Sequence, residues 1–269
     1  MQRIYHLFRV FMTIVKHIYR AKFEYPGSLM GGIIAQWLTF GTSMAMVFLM
    51  VWNFGSLAGW EPAEVVFINA IQLIAYAVGA TFSFNLYRSF SEIAINGNLD
   101  EAYIRPMPPF LYLIATNYNV GYIAHFTVSA VALGISINHL GLSWSVFQWI
   151  WLVVLIISGA VITACMLLTT GMPAIRTRSR SPLSMLFWQG REFTQYPITI
   201  YPRAVVILFT TMLPFAFVNF YPVQVLLGKE DGIMPRITMW LSPLVAVLLV
   251  GITALCWRIL SSKYESAGT

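Results

Sequence analysis

Apolar residues run along this chain in long unbroken stretches. Six of them, roughly 29–53, 64–86, 111–137, 146–172, 204–227 and 237–257, contain no Lys, Arg, Asp or Glu beyond the edge residue Glu64. A helix of about 20 apolar residues, rising ~1.5 Å per residue, crosses a hydrocarbon core of ~30 Å. The pattern predicts an all-α integral membrane protein with six transmembrane helices. Pro214 and Pro222 fall in the fifth stretch and predict a broken span, which needs partners for the freed backbone groups. The residues near 219–235 are apolar but interrupted by Pro222, as a segment dipping back into the bilayer would be.

A different rhythm precedes the first span. Gln2, His6, Arg9, Thr13, Lys16, Arg20 and Glu24 recur every three or four positions, with Ile4, Phe8, Phe11, Val15 and Ile18 between them. This predicts an amphipathic helix over 1–28 that lies along a membrane surface, closed by Pro26-Gly27. Its charges extend through the whole segment, unlike those of a cleaved signal peptide. Both a plain anchor and a functional lever fit it. The remainder, 29–269, reads as one six-helix domain.

Composition agrees. With 58% hydrophobic and 10% charged residues and a mean hydropathy of +0.73, the chain is neither an ordinary soluble domain nor a disordered one. Its charges decide orientation. Fourteen of the 16 Lys and Arg residues precede span 1, follow span 6 or lie in the even-numbered links, while Lys229 and Arg236 alone occupy the other side. The positive-inside rule then puts both termini in the cytoplasm, with Trp52, Trp60, Trp144, Trp149 and Trp240 near the outer boundary. Cys165 and Cys256 fall in apolar runs and read as packing residues.

Several chemistries leave no trace. There is no phosphate-binding Gly-x-x-x-x-Gly-Lys-Ser/Thr loop, no His-Glu-x-x-His and no Gly-x-Ser-x-Gly. Within the spans the polar candidates are His125, Asn69, Gln72 and Thr163. His125 fits a hydrogen-bonded structural residue better than a proton relay. Spans without fixed charge suggest that any transport draws its energy from elsewhere, and a cytoplasmic motor is the simplest source. Apolar or amphiphilic cargo suits such a path.

The stretch Asn96–Phe110, NGNLDEAYIRPMPPF, stands apart from this background. Gly97 can end a helix, Asn98 and Asp100 are helix-capping types, and Asp100-Glu101 favours a helix N-terminus. Pro106, Pro108 and Pro109 then stop the helix and stiffen the return. The expectation is a short rigid helix carrying charges that face water or a partner; a solvated loop is the plainer alternative.

Gly97-x-Leu99-Asp100 with Arg105-Pro106-x-x-Pro109 resembles the first cytoplasmic loop of ATP-binding-cassette (ABC) type-2 permeases, in their compact bacterial branch. Phe193-x-x-Tyr196-Pro197, Tyr201-Pro202, Pro214-x-Ala216-Phe217, Tyr221-Pro222 and the tail Tyr264-x-Ser266-x-Gly268 extend the resemblance over nearly the whole chain. Tyr103 departs from it, standing where an aliphatic residue is expected. The resemblance implies the membrane subunit of an exporter in the bacterial plasma membrane. It would pair with a second copy or a sister permease and with two ATPase subunits, which would bind the ATP and Mg. This chain would bind no cofactor, metal or nucleic acid and would not itself be an enzyme. Coupling segments would lie near 92–109 and 176–203. Asn98, Leu99, Asp100, Glu101, Tyr103, Arg105 and Pro106 would seat in the ATPase, and Arg191, Glu192 and Phe193 would form a second contact. Arg176, Arg178 and Arg180 serve equally well as anchors for lipid headgroups. Spans 1, 2 and 5 would line the path between the two permeases. Ala75, Gly79 and Ser83 form a small-residue ridge suited to packing within the chain or to a dimer seam. An ion-coupled carrier or channel, and a membrane scaffold, remain the competing functions.

Overall fold

The computed structural model describes residues 2–179, 181–229, 235–262 and 264. Twelve α-helices are found among them: α1 Gln2–Phe23, α2 Pro26–Phe54, α3 Pro62–Ile95, α4 Asn98–Ile104, α5 Pro109–Thr116, α6 Ile123–His139, α7 Val146–Gly171, α8 Ala174–Thr177, α9 Leu183–Phe193, α10 Arg203–Thr211, α11 Phe220–Leu227 and α12 Ser242–Ser261. Five segments, built on α2, α3, α6, α7 and α12, are long and apolar enough to cross a membrane. A sixth candidate is the pair 203–211 and 215–227, bent by 76°.

α3 is the axis of the bundle. The most apolar window of this helix is 83% buried, against 11% for α2 and for α12; α2, α6 and α7 pack around it, and α12 packs against α7. Lipid tails are as apolar as leucine, so close van der Waals approach holds such helices together. The Ala75-Gly79-Ser83 ridge supplies that approach. A Cβ on Gly79 would lie 2.4 Å from the Ala160 carbonyl oxygen of α7, and one on Gly159 would lie 3.0 Å from Ala75 Cβ. The ridge is therefore used within the chain, and α3 is enclosed where the path between two permeases was expected. At the tryptophan end, the Glu61 N–H donates to Glu64, and Lys229 pairs with the Glu64 carboxylate, tying the exit of α11 to the start of α3.

Two expected boundaries change. The third span starts at Val120 rather than near 111, because α5 is a separate helix. Asn117 ends α5 by directing both its backbone N–H and its side-chain amide to the Leu113 carbonyl. The Asn119 N–H then bonds to the Thr81 carbonyl of α3, turning the chain before α6. In the fifth stretch, the break falls at 212–214. Pro222 sits in the first turn of α11, where its missing N–H breaks no helical bond. Of the expected re-entrant segment, residues 230–234 lie outside the described residues, as do Arg180, Ser266 and Gly268.

α1 ends at Phe23, and Pro26 opens α2 as expected. Leu7, Val10, Phe11, Ile14 and Ile18 are half-buried, while Arg9, Lys16, His17 and Arg20 are exposed.

Candidate functional site

α3 is 34 residues long, about 51 Å at ~1.5 Å per residue, and so exceeds a ~30 Å hydrocarbon core. α4 is carried on its far end. Gly97 takes a left-handed conformation (φ 71°), which reverses the chain at no Cβ cost and starts α4. Leu99 and Ala102 are fully buried among Leu86, Phe90, Ile93, Leu113, Leu168, Met172, Ala174 and Ile175. The helix is thus bolted to α3 and α5 by its apolar side, within a cluster that extends to α7 and α8.

Its other side is open. Asn98, Glu101, Tyr103, Ile104, Arg105 and Pro106 are exposed, Ile104 by 81%. Ile104 did not emerge from the charge pattern. Glu101 pairs with Arg105 four residues on and accepts a hydrogen bond from the Tyr112 hydroxyl at 3.1 Å. The hydrogen bond from Arg105 holds the Glu101 carboxyl below its usual range, and the Tyr112 bond adds to this. Asp100, expected to face water or a partner, is half-buried, and the Tyr264 hydroxyl lies 3.5 Å from its Oδ2. Exposed Arg176 and Arg178 follow from α8, whose Ala174 and Ile175 share the cluster that holds Leu99.

Arg191, Glu192 and Phe193 are not brought to this surface. α9 runs antiparallel to α3. The Trp188 indole donates to the Tyr87 hydroxyl at 3.2 Å, the Arg191 guanidinium lies 4.0 Å from the Tyr76 ring, and Asn69 reaches the Gln195 carbonyl at 3.5 Å. Tyr76 is 19 residues before Ile95, about 28 Å along α3 from the α4 end. Glu192 and Phe193 are exposed at that depth, while Arg191 is half-buried and its Nε is sealed without an acceptor. The spans themselves carry no fixed charge beyond Glu64, but α9 brings the Arg191 cation beside the middle of α3.

This depth explains the neutral polar residues noted in span 2. A helix ending at Phe193 leaves carbonyls unpaired away from water, which is costly. Gln72 donates to the Arg191 carbonyl at 2.9 Å and to Thr194 Oγ1 at 2.7 Å, and Asn219 donates to the Thr194 carbonyl at 2.7 Å. Gly190 permits the seat: a Cβ there would lie 2.5 Å from the Phe215 ring. His125 packs against Phe40 and Tyr122 with tilted rings at centroid distances of 3.8 and 4.8 Å, and its Nδ1 is buried without a hydrogen-bond partner, so packing rather than the expected hydrogen bonding holds it.

A family model described as ABC-2 family transporter protein matches residues 37–268. The chain belongs to the ABC-2 transporter family. The match takes in α3 to α12, and so both the α4 surface and the α9 seat; α1 precedes it. As an ABC-2 protein the chain is a multi-pass membrane component of a transporter. No curated protein and no solved structure gave a match.

Proposed function

We propose that this ABC-2 protein is the permease subunit of an ATP-driven exporter in the bacterial plasma membrane, and that α4 is the contact through which separate ATPase subunits drive it. The observation that carries the reading is the form of α4. It is a short helix fixed by buried Leu99 and Ala102 to an α3 longer than a membrane is thick, and it presents Asn98, Glu101, Tyr103, Ile104, Arg105 and Pro106 outward. A rigid attachment transmits displacement of the tip to the core of the bundle. The bias of basic residues supports a cytoplasmic position for α4 and both termini, on the side where the partner would hold ATP and Mg. Arg176 and Arg178 extend the docking face or hold lipid headgroups beside it. The second permease copy, or a sister chain, packs on the exposed side of α2, leaving α3 enclosed in its own subunit. α1 lies along the inner leaflet with Tyr5, Phe8 and Met12 toward lipid.

The test replaces Ile104 and Arg105 together (Ile104→Ser, Arg105→Gln) in the chain co-expressed with its ATPase. Membrane abundance stays near wild type, whereas copurification of the ATPase and ATP-dependent export fall at least about tenfold, as for loss of a central interface anchor. Unchanged copurification and export would remove α4 from the coupling role. Flux driven by an ion gradient in vesicles lacking any ATPase would favour a carrier.

A further inference from the structure

Tyr76, Ala80, Phe84 and Arg88 recur every four residues along α3 and so share one face. Two of these positions join arginines to aromatic rings. Arg88 lies 5.8 Å from the Phe84 ring, and Arg191 of α9 lies 4.0 Å from the Tyr76 ring, about 12 Å further along the helix. Trp188 sits between them, with ring centroids 6.0 Å from Phe84 and 6.2 Å from Tyr76. A cavity of about 250 Å³ opens beside Trp188, bounded by Phe84, Tyr87, Arg88, Ser181 and Ser184.

Two donors in this region of α3 and α9 lack acceptors. Arg191 Nε is buried with no hydrogen-bond partner, and so is the Oγ of Ser181, a residue only 5% exposed. Among the described residues, neither Arg88 nor Arg191 lies within ion-pair distance of a carboxylate. An aromatic face offsets part of the desolvation of a guanidinium, but a cation placed at membrane depth normally acquires an anion or lines a path for one. Guanidinium forks match carboxylate and phosphate oxygens, and the rings of Phe84, Trp188 and Tyr76 suit an alkyl chain alongside.

We propose that the cleft between α3 and α9 binds an amphiphile through its anionic headgroup, with Arg88 at the cavity and Arg191 at the deeper station. The inference names the cargo class of the permease described above and rests on that reading for the word cargo; binding itself does not depend on it.

The full chain in phosphatidylcholine nanodiscs, without ATPase, is titrated with dodecyl phosphate, dodecyltrimethylammonium or inorganic phosphate, reading the thermal unfolding midpoint and tryptophan fluorescence. Dodecyl phosphate should bind saturably, at least about tenfold tighter than dodecyltrimethylammonium. Arg191→Gln should weaken it about tenfold or more, Arg191→Lys should restore part of the loss, and Arg88→Gln should weaken it several-fold. Equal binding of the two headgroups, or unchanged binding in Arg191→Gln, would overturn the proposal. Inorganic phosphate binding as tightly as dodecyl phosphate would overturn the amphiphile. If Arg191→Gln does not fold, the wild-type headgroup comparison and exposed Arg88→Gln decide the matter. Anion-selective binding by a chain that fails to copurify with any ATPase would sink the exporter reading alone.

Discussion

Arg105 and Arg191 are two guanidiniums in opposite situations. Arg105 stands on an exposed helix beside Glu101, four residues away, and both charges keep their water. Arg191 stands at the middle of α3 against Tyr76, without a carboxylate in reach among the described residues. The exposed pair adds little to stability, because water already solvates both charges and salt screens them. The enclosed cation is costly to hold, so the fold surrounds it with aromatic faces and caps the helix that carries it through Gln72 and Asn219. Charge at the α4 surface is suited to a partner's recognition, and charge in the α9 cleft is suited to an anion. The comparison can be broken from either side.

The largest effect is expected from the seat of α9. Gly190→Val places a branched side chain where even a Cβ would lie 2.5 Å from the ring of Phe215, which is only 3% exposed and has nowhere to move. Overpacking of this kind costs about 1–3 kcal/mol or more. α9 should shift away from α3, lowering the thermal midpoint of the purified chain and increasing proteolysis between 178 and 203. If the midpoint and the cleavage pattern stay as in wild type, α9 does not pack as described. An intermediate effect is expected from Leu99→Ala. Removing a fully buried leucine costs about 2–5 kcal/mol where the site cannot collapse, and the loss falls on the attachment of α4. Amide exchange should accelerate over 98–104 while the centre of α3 keeps its protection, and ATPase copurification should drop. Equal acceleration in both regions would mean that α4 is not an independently attached unit.

The two regions also differ in how far the sequence discloses them. α4 is legible because its signals are local: Gly97 for the reversal, acidic residues in the first turn and prolines beyond the end all act within a dozen residues. The long spans are legible for the same reason, since length and apolarity suffice. α9 is not. Leu183–Phe193 has 11 residues, too few for a span, and includes an arginine, so it reads as a continuation of the cytoplasmic link. What places it beside α3 is tertiary: a glycine facing Phe215 and two polar side chains, Gln72 of α3 and Asn219 before α11, that cap its end. Asn69 and Gln72 were the available clue, because polar side chains in an apolar span need partners, and these identify a broken helix opposite them. The enclosure of α3 was hidden likewise, since a small-residue ridge does not say which helix it will meet.

The smallest effect concerns pH and separates the two arginines by their surroundings. Glu101 has its folded-state pKa lowered from a usual value near 4.5, first by the Arg105 hydrogen bond and then by Tyr112. A carboxyl whose folded pKa is depressed contributes stability that is fully present above the unfolded value and is lost as pH falls through the folded one. Lowering the pH from 7 to 5 should therefore leave the Glu101–Arg105 pair intact, and its contribution should fade progressively below about 4.5. The group is exposed, so the change should be slight and smaller still at high salt. Other acids titrate in the same range, so the informative quantity is the difference between wild type and Glu101→Gln. Amide exchange over α4 should be faster in Glu101→Gln than in wild type at pH 6, and the two should converge as the pH approaches 3. Residues around Arg191 should show no difference between the two proteins at any pH, because among the described residues no carboxylate pairs with that guanidinium. A difference that persists undiminished at pH 3 would mean that Glu101 acts on α4 through packing of its side chain and not through its charge.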